Sequence, residues 1–81
     1  MAYTREALAL IWSKAAPIPG YDSDVWRRDE FGTAIKWSEY GDLSKYGWDV
    51  DHRLPQSRGG GDTLENLWPM HWRNNKSKGS G

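Results

Sequence analysis

Residues Trp48–Asn75 read WDVDHRLPQSRGGGDTLENLWPMHWRNN. The stretch carries an Asp-His pair at 51–52, three consecutive glycines at 59–61 and asparagines at 66, 74 and 75. Polar groups of this kind do not drive folding, so their concentration marks either a solvated tail or a site. Trp48-Asp49-Val50-Asp51-His52 alternates apolar and polar side chains, as a strand with one buried face requires. Pro55–Gly61 reads as a loop, and Asp62-Thr63-Leu64-Glu65 as a capped helical turn. Pro69 fits the first position of a closing helix, where its missing amide costs nothing. That helix is expected to run to about Lys78 and to stop at Gly79.

Upstream, Thr4 precedes Arg5-Glu6-Ala7-Leu8-Ala9-Leu10-Ile11-Trp12-Ser13-Lys14, which reads as a helix. Thr4 can cap the free amides, Glu6 suits the positive end, and Ala and Leu are strong formers. Apolar side chains run almost all the way round, so the helix must bury against its own domain or a partner chain. A homodimer contact through Ala7–Trp12 is one use open to it. Pro17-Ile18-Pro19-Gly20 ends the helix in an extended linker. Val25–Tyr40, VWRRDEFGTAIKWSEY, predicts a β-hairpin turning at Asp29–Gly32. Gly41–Gly47 follows as a loop.

The 81 residues make one domain at most, able to bury about 60–65% of the unfolded chain's surface. Residues 1–20 are its helix and linker, 21–47 its hairpin and loop, 48–79 its motif region. No cysteine is present, which removes disulfides and thiolate zinc and gives no sign of an oxidising compartment. Six tryptophans, four tyrosines and one phenylalanine supply core volume that a disordered chain would lack. Net charge is zero, but from Leu67 onward Arg73, Lys76 and Lys78 meet no acid. Such an end is a solvated helix terminus or a phosphate contact. No run of about 18 apolar residues exists, so no membrane span is expected. The N-terminus lacks the pattern of a signal peptide, and a cytoplasmic setting is expected.

The chemistry of the residues narrows the choice. Strand alternation points Asp51 and His52 apart, so a local bend is needed for both to reach one site. On the expected helix His71 and Asn75 lie four apart and share a face, with Asn66 in the segment before. An Asp oxygen and an Asn carbonyl are hard ligands, suited to Mg²⁺-like ions that keep waters and take further oxygens from a phosphate. A histidine titrating near neutrality is a natural general base for water. A cation, a base and a basic rim are the requirements for breaking a phosphodiester. Taken singly these features are weak, because Asp-His pairs occur by chance and asparagines near glycines are usually turn formers.

Their order is more specific. Asp51-His52, Pro55, Ser57, Gly59-Gly60, Asn66-Leu67 and Asn75-Lys76-Ser77-Lys78-Gly79 resemble the HNH endonuclease motif across residues 48–79. The resemblance implies an α+β fold, a small ββα-metal motif with an added N-terminal helix and β-hairpin. It implies His52 as the general base, Asp51 as a metal ligand, Asn66 as the side chain holding the His52 ring, and Asn75 as the residue completing the metal site. One divalent ion is implied, with Mg²⁺ ahead of Mn²⁺, Ni²⁺ and Zn²⁺. The implied activity is metal-dependent hydrolysis of DNA phosphodiesters, nicking with little sequence preference, and RNA is compatible as a substrate. Arg53, Arg58, Arg73, Lys76 and Lys78 would grip phosphates.

Many relatives carry two Cys-x-x-Cys pairs that bind a structural zinc, and the second pair aligns with His71 and Asn74. That zinc site is absent here, and the tryptophans and N-terminal helix are expected to replace it. Three roles stay open for His71: a packed or capping residue, an accessory metal or phosphate contact, or an exposed side chain. Two rival functions also stand. One is a non-catalytic nucleic-acid-binding module retaining the fold. The other is a protein-interaction domain with the ion as a staple. Phage DNA processing, restriction and mobile-element homing all use this motif.

Overall fold

Thr4 starts the first helix as its sequence suggests: its Oγ1 accepts from the Ala7 amide at 3.0 Å in the computed structural model, which describes residues 3–78. Helix α1 spans Arg5–Trp12 and closes on Ser13. Of its apolar positions, Leu8, Ile11 and Trp12 pack into the domain's own core. Leu10 remains on the outer side, 55% exposed.

Ala16–Pro17 (β1) forms an edge strand, pairing antiparallel with Arg27 and Arg28 of β2 (Trp26–Arg28). The expected linker is therefore partly strand, and an edge is where a proline is tolerated. β2 pairs in turn with β3 (Ala34–Lys36), which is the hairpin expected from residues 25–40. Asp29 builds its turn, accepting from the amides of Phe31 and Thr33 at 3.0 Å each. Gly32 follows with φ of 83°, a conformation that disfavours other residues.

The second sheet is a two-stranded antiparallel pair. β4 (Trp48–His52) lies against β5 (Leu67–His71), with Trp48 opposite His71 and His52 opposite Leu67. Helix α2 (Trp72–Ser77) follows β5 without a loop and packs on both strands. The fold is thus α+β: a ββα unit carrying an additional N-terminal helix and hairpin. Two expectations change. Pro69 does not open the last helix; it sits inside β5 opposite Val50. A two-stranded sheet leaves the outer side of each strand free, so a residue without an N–H can be housed there. The helix is correspondingly shorter, and the expected stop at Gly79 lies outside the described residues.

Trp48, fully buried, is the centre of the core. Trp12, Trp37 and Tyr40 surround it at ring-centroid distances of 5.1, 5.9 and 5.0 Å. The polar edges are satisfied, since Trp12 Nε1 donates to Ser23 O at 2.9 Å and Trp48 Nε1 to Trp37 O at 3.3 Å. Ile11, Val50 and Leu67 form the adjoining apolar cluster between α1 and the second sheet. These aromatic and aliphatic contacts hold β4 rigidly from one side, and α2 covers it from another.

Candidate active site

The sequence of β4 ends in Val50-Asp51-His52, and the burial pattern breaks strict alternation there. Val50 and Asp51 are both buried, while His52 is partly exposed. The two candidate side chains leave the strand toward different partners. Asp51, 2% exposed, receives Lys78 Nζ on both carboxylate oxygens at 3.1 Å. His52 Nε2 lies 2.6 Å from Asp62 Oδ1, and the His52 side chain keeps 15% of its surface open. Among the described residues, the His52 Nδ1 atom takes no hydrogen bond.

Chain direction explains how Lys78 reaches Asp51. β5 runs back from the His52 end of β4 to its Trp48 end, and α2 then returns toward Asp51. Asn75 lies three residues before Lys78, and residues at that spacing are neighbours on a helix surface. At that spacing Asn75 lies on the same side of α2 as Lys78, which caps the helix. Its side chain is partly buried and makes no hydrogen bond among the described residues.

A divalent ion at Asp51 would have to take the place of the positive charge already on the buried carboxylate, the Lys78 ammonium. Asp51 and Asn75 supply oxygen donors suited to a hard cation. The set is sparse, and no cluster of three or more His, Cys, Asp or Glu side chains occurs among the described residues. An ion held there would draw its remaining ligands from water and from the bound phosphate, as Mg²⁺ commonly does.

Asn66 works differently from the expectation that it holds the His52 ring. Its Oδ1 accepts from the Leu54 amide at 2.6 Å, and its Nδ2 donates to the carbonyls of Leu54 at 3.0 Å and Gly61 at 2.9 Å. It clamps the loop between β4 and β5, and the ring contact falls to Asp62. The glycines in that loop have separate reasons. Gly59 has φ of 91°, and a Cβ on Gly60 would collide with the Leu54 carbonyl. Gly61 has neither constraint.

His71 is not on the helix with Asn75 but caps it from the end of β5. Its Nδ1 accepts from the Arg73 amide at 3.1 Å, so the other nitrogen, Nε2, donates to Lys45 O at 2.8 Å. With both nitrogens committed and 5% exposure, the ring packs and caps; an accessory metal or phosphate contact is not open to it.

The expected phosphate-binding side chains divide into two groups. Arg58, Arg73 and Lys76 are exposed and form no ion pair among the described residues. Arg53 is paired with Glu30 and lies over the Trp68 ring at 3.9 Å, and Lys78 is held by Asp51. Lys14, read in the sequence only as the end of the first helix, also lies over Trp68 at 4.4 Å and donates to Leu67 O at 2.8 Å. Burial lowers the Lys14 pKa, with Arg53 adding to the effect and Glu65 opposing it. Burial raises the pKa of Tyr3, with smaller contributions from Asp62, Tyr40 and Asp49.

Asp29 and Asp62 are the residues that local patterns hid. Asp29 read as a turn former and Asp62 as a helix cap. A second oxygen on Asp29 and the 2.6 Å contact of Asp62 act across distances that local spacing does not encode.

A family model described as HNH endonuclease matches residues 37–81, more than half of the chain. The match begins upstream of the motif and takes in Trp37, Tyr40 and the loop before β4. Neither a curated protein nor a solved structure matched the chain.

Proposed function

This chain belongs to the HNH endonuclease family, and from that premise we propose that it is a divalent-metal-dependent endonuclease that hydrolyses DNA phosphodiester bonds. Domains of the family are usually nucleases, act on nucleic acids and generally bind a divalent metal. The observation that carries the finer reading is the end of β4. A buried carboxylate already neutralised by a cation stands next in sequence to an imidazole with one nitrogen engaged and the other free.

When bound, a divalent ion supplies charge neutralisation at the scissile phosphate and the departing oxygen. Mg²⁺ is the first choice for a site of one carboxylate and one amide oxygen, with Mn²⁺ and Ni²⁺ as substitutes. Asp51 and Asn75 are the residues that would hold it. His52 Nδ1 accepts a proton from the attacking water, a contribution of about 10²–10⁴ in rate. Arg58, Arg73 and Lys76 bind backbone phosphates and position the duplex without reading its sequence, so little sequence preference is expected. One site cuts one strand, so a monomer nicks. We take residues 1–81 as one nuclease unit, because α1 supplies Ile11 and Trp12 to the core behind the site.

The test is conversion of supercoiled plasmid to open circle with Mg²⁺, Mn²⁺ or Ni²⁺, beside His52→Ala and an EDTA control. Metal-dependent nicking lost in the variant supports the assignment. One observation favours a second reading, a nucleic-acid-binding module without catalysis: Asp51 is shut away by Lys78, and Asp51 and His52 reach different partners. That reading predicts DNA binding that persists in EDTA and no open circle under any metal.

A further inference from the structure

We propose that Asp62 is the positioning residue for His52: it fixes the imidazole with Nε2 protonated and leaves Nδ1 to take the proton from water. The inference rests on the nuclease reading above and assigns how its base is oriented.

The contact is built rather than incidental. His52 and Leu67 form the last pair of the second sheet, and the Arg53 amide donates to Asn66 O at 2.9 Å just beyond it. Residues 53–66 are thereby closed into a loop at their base. Within the loop Asn66 spans both sides, bonding Leu54 on one and Gly61 on the other. Gly60 closes the same turn through its amide to Pro55 O at 2.9 Å. The residue immediately after Gly61 is Asp62, so the Asn66 clamp determines where the Asp62 backbone lies. From there Asp62 Oδ1 meets His52 Nε2 at 2.6 Å.

Elementary chemistry gives the consequence. An ionised carboxylate only accepts hydrogen bonds. The nitrogen facing it must carry the proton, and in a neutral imidazole the other nitrogen is then a bare lone pair. A base with its tautomer mixed or its ring free to rotate spends part of its time unable to accept a proton from the water's side. The orienting role that the resemblance implied for Asn66 is thus delivered one step removed, through Gly61 and Asp62. Such partners of a functional histidine typically affect activity by about 10- to 100-fold.

The experiment compares wild type, Asp62→Ala and Asp62→Asn by steady-state plasmid nicking, thermal unfolding and side-chain ¹⁵N NMR of His52. Asp62→Ala is expected to lower kcat by about 10- to 100-fold with KM little changed, and to remove the Nε2-protonated signature of His52. Asp62→Asn, whose amide oxygen still accepts, is expected to recover part of kcat and of that signature; it also serves if the alanine variant does not fold. Wild-type kcat in Asp62→Ala, or an unchanged His52 tautomer, overturns the proposal. A wild-type chain that nicks nothing with any metal overturns the nuclease reading instead, and the NMR comparison still decides whether Asp62 fixes the ring.

Discussion

Asp29 Oδ2 accepts from Asn74 Nδ2 at 2.8 Å and from the His71 amide at 3.0 Å, tying the hairpin turn to the junction of β5 and α2 across 45 and 42 residues of sequence. Asn74 Nδ2 also donates to Thr33 Oγ1 at 2.8 Å. The resemblance to the HNH motif set His71 and Asn74 against the second cysteine pair of zinc-bearing relatives. A buried carboxylate and its donors thus join the hairpin turn to the start of α2.

Asp29→Ala should therefore be among the most destabilising single changes. Hydrogen bonds to a charged acceptor contribute about 1.5–3 kcal/mol each, and the orphaned donors are partly buried. A loss of about 3 kcal/mol or more is expected in urea unfolding, a large share of the stability of so small a domain. Asp29→Asn should recover some of it. An alanine variant as stable as wild type would show that the core alone holds the hairpin.

The glycine run should respond unequally to alanine. Gly59→Ala forces a side chain into the left-handed region, at a cost of about 1–2 kcal/mol. Gly60→Ala meets the Leu54 carbonyl and must move backbone, so it should lower the unfolding midpoint most. Gly61→Ala meets nothing and should stay within about 0.5 kcal/mol. Equal responses at the three positions would mean that the loop is not held as described.

At the proposed cation site Lys78 would compete with the ion for Asp51. Lys78→Met should tighten Mn²⁺ or Mg²⁺ binding in calorimetric titration, because the carboxylate loses its internal counter-charge. Without metal the same variant should unfold more readily, since an unpaired buried carboxylate is costly. Added metal should restore its midpoint. Metal affinity equal to that of wild type would separate Lys78 from the cation site.

The alkaline limit of stability should involve Tyr40, whose pKa burial raises above 10.0, helped by the charge of Asp49. A raised folded-state pKa means that stability is fully present below the unfolded value and is lost as pH rises through the folded one. Lys14, whose pKa is lowered, acts in the opposite sense, and wild type and Tyr40→Phe share it. Above about pH 10 the unfolding midpoint of wild type should fall more steeply than that of Tyr40→Phe. Parallel curves would contradict the assignment.

Much of this architecture is legible in sequence because local rules govern it. Thr4 caps where a threonine should, Asp29–Gly32 turns the hairpin, and Trp48–His52 forms the expected strand, its alternation breaking only where Asp51 is buried beside Val50. Pro69 misleads because proline suits both a first helical position and an unpaired strand side, and only the pairing of β5 with β4 decides between them. That choice carries His71 from the helix to its cap and occupies both ring nitrogens. The resemblance gave the His52 ring contact to Asn66 and the local pattern read Asp62 as a cap; the contact of Asp62 is set by how the loop folds back, which neither encodes. Asp29 uses one oxygen locally, where pattern reading finds it, and the other across the fold, where it does not.

The cation itself is the most direct object of measurement. Crystals grown with Mn²⁺ should show one anomalous-scattering peak within ligand distance of the Asp51 carboxylate and the Asn75 amide oxygen, beside the open Nδ1 of His52, with Lys78 displaced. A peak elsewhere, or Lys78 still on Asp51 at saturating Mn²⁺, would contradict a catalytic site built at the end of β4.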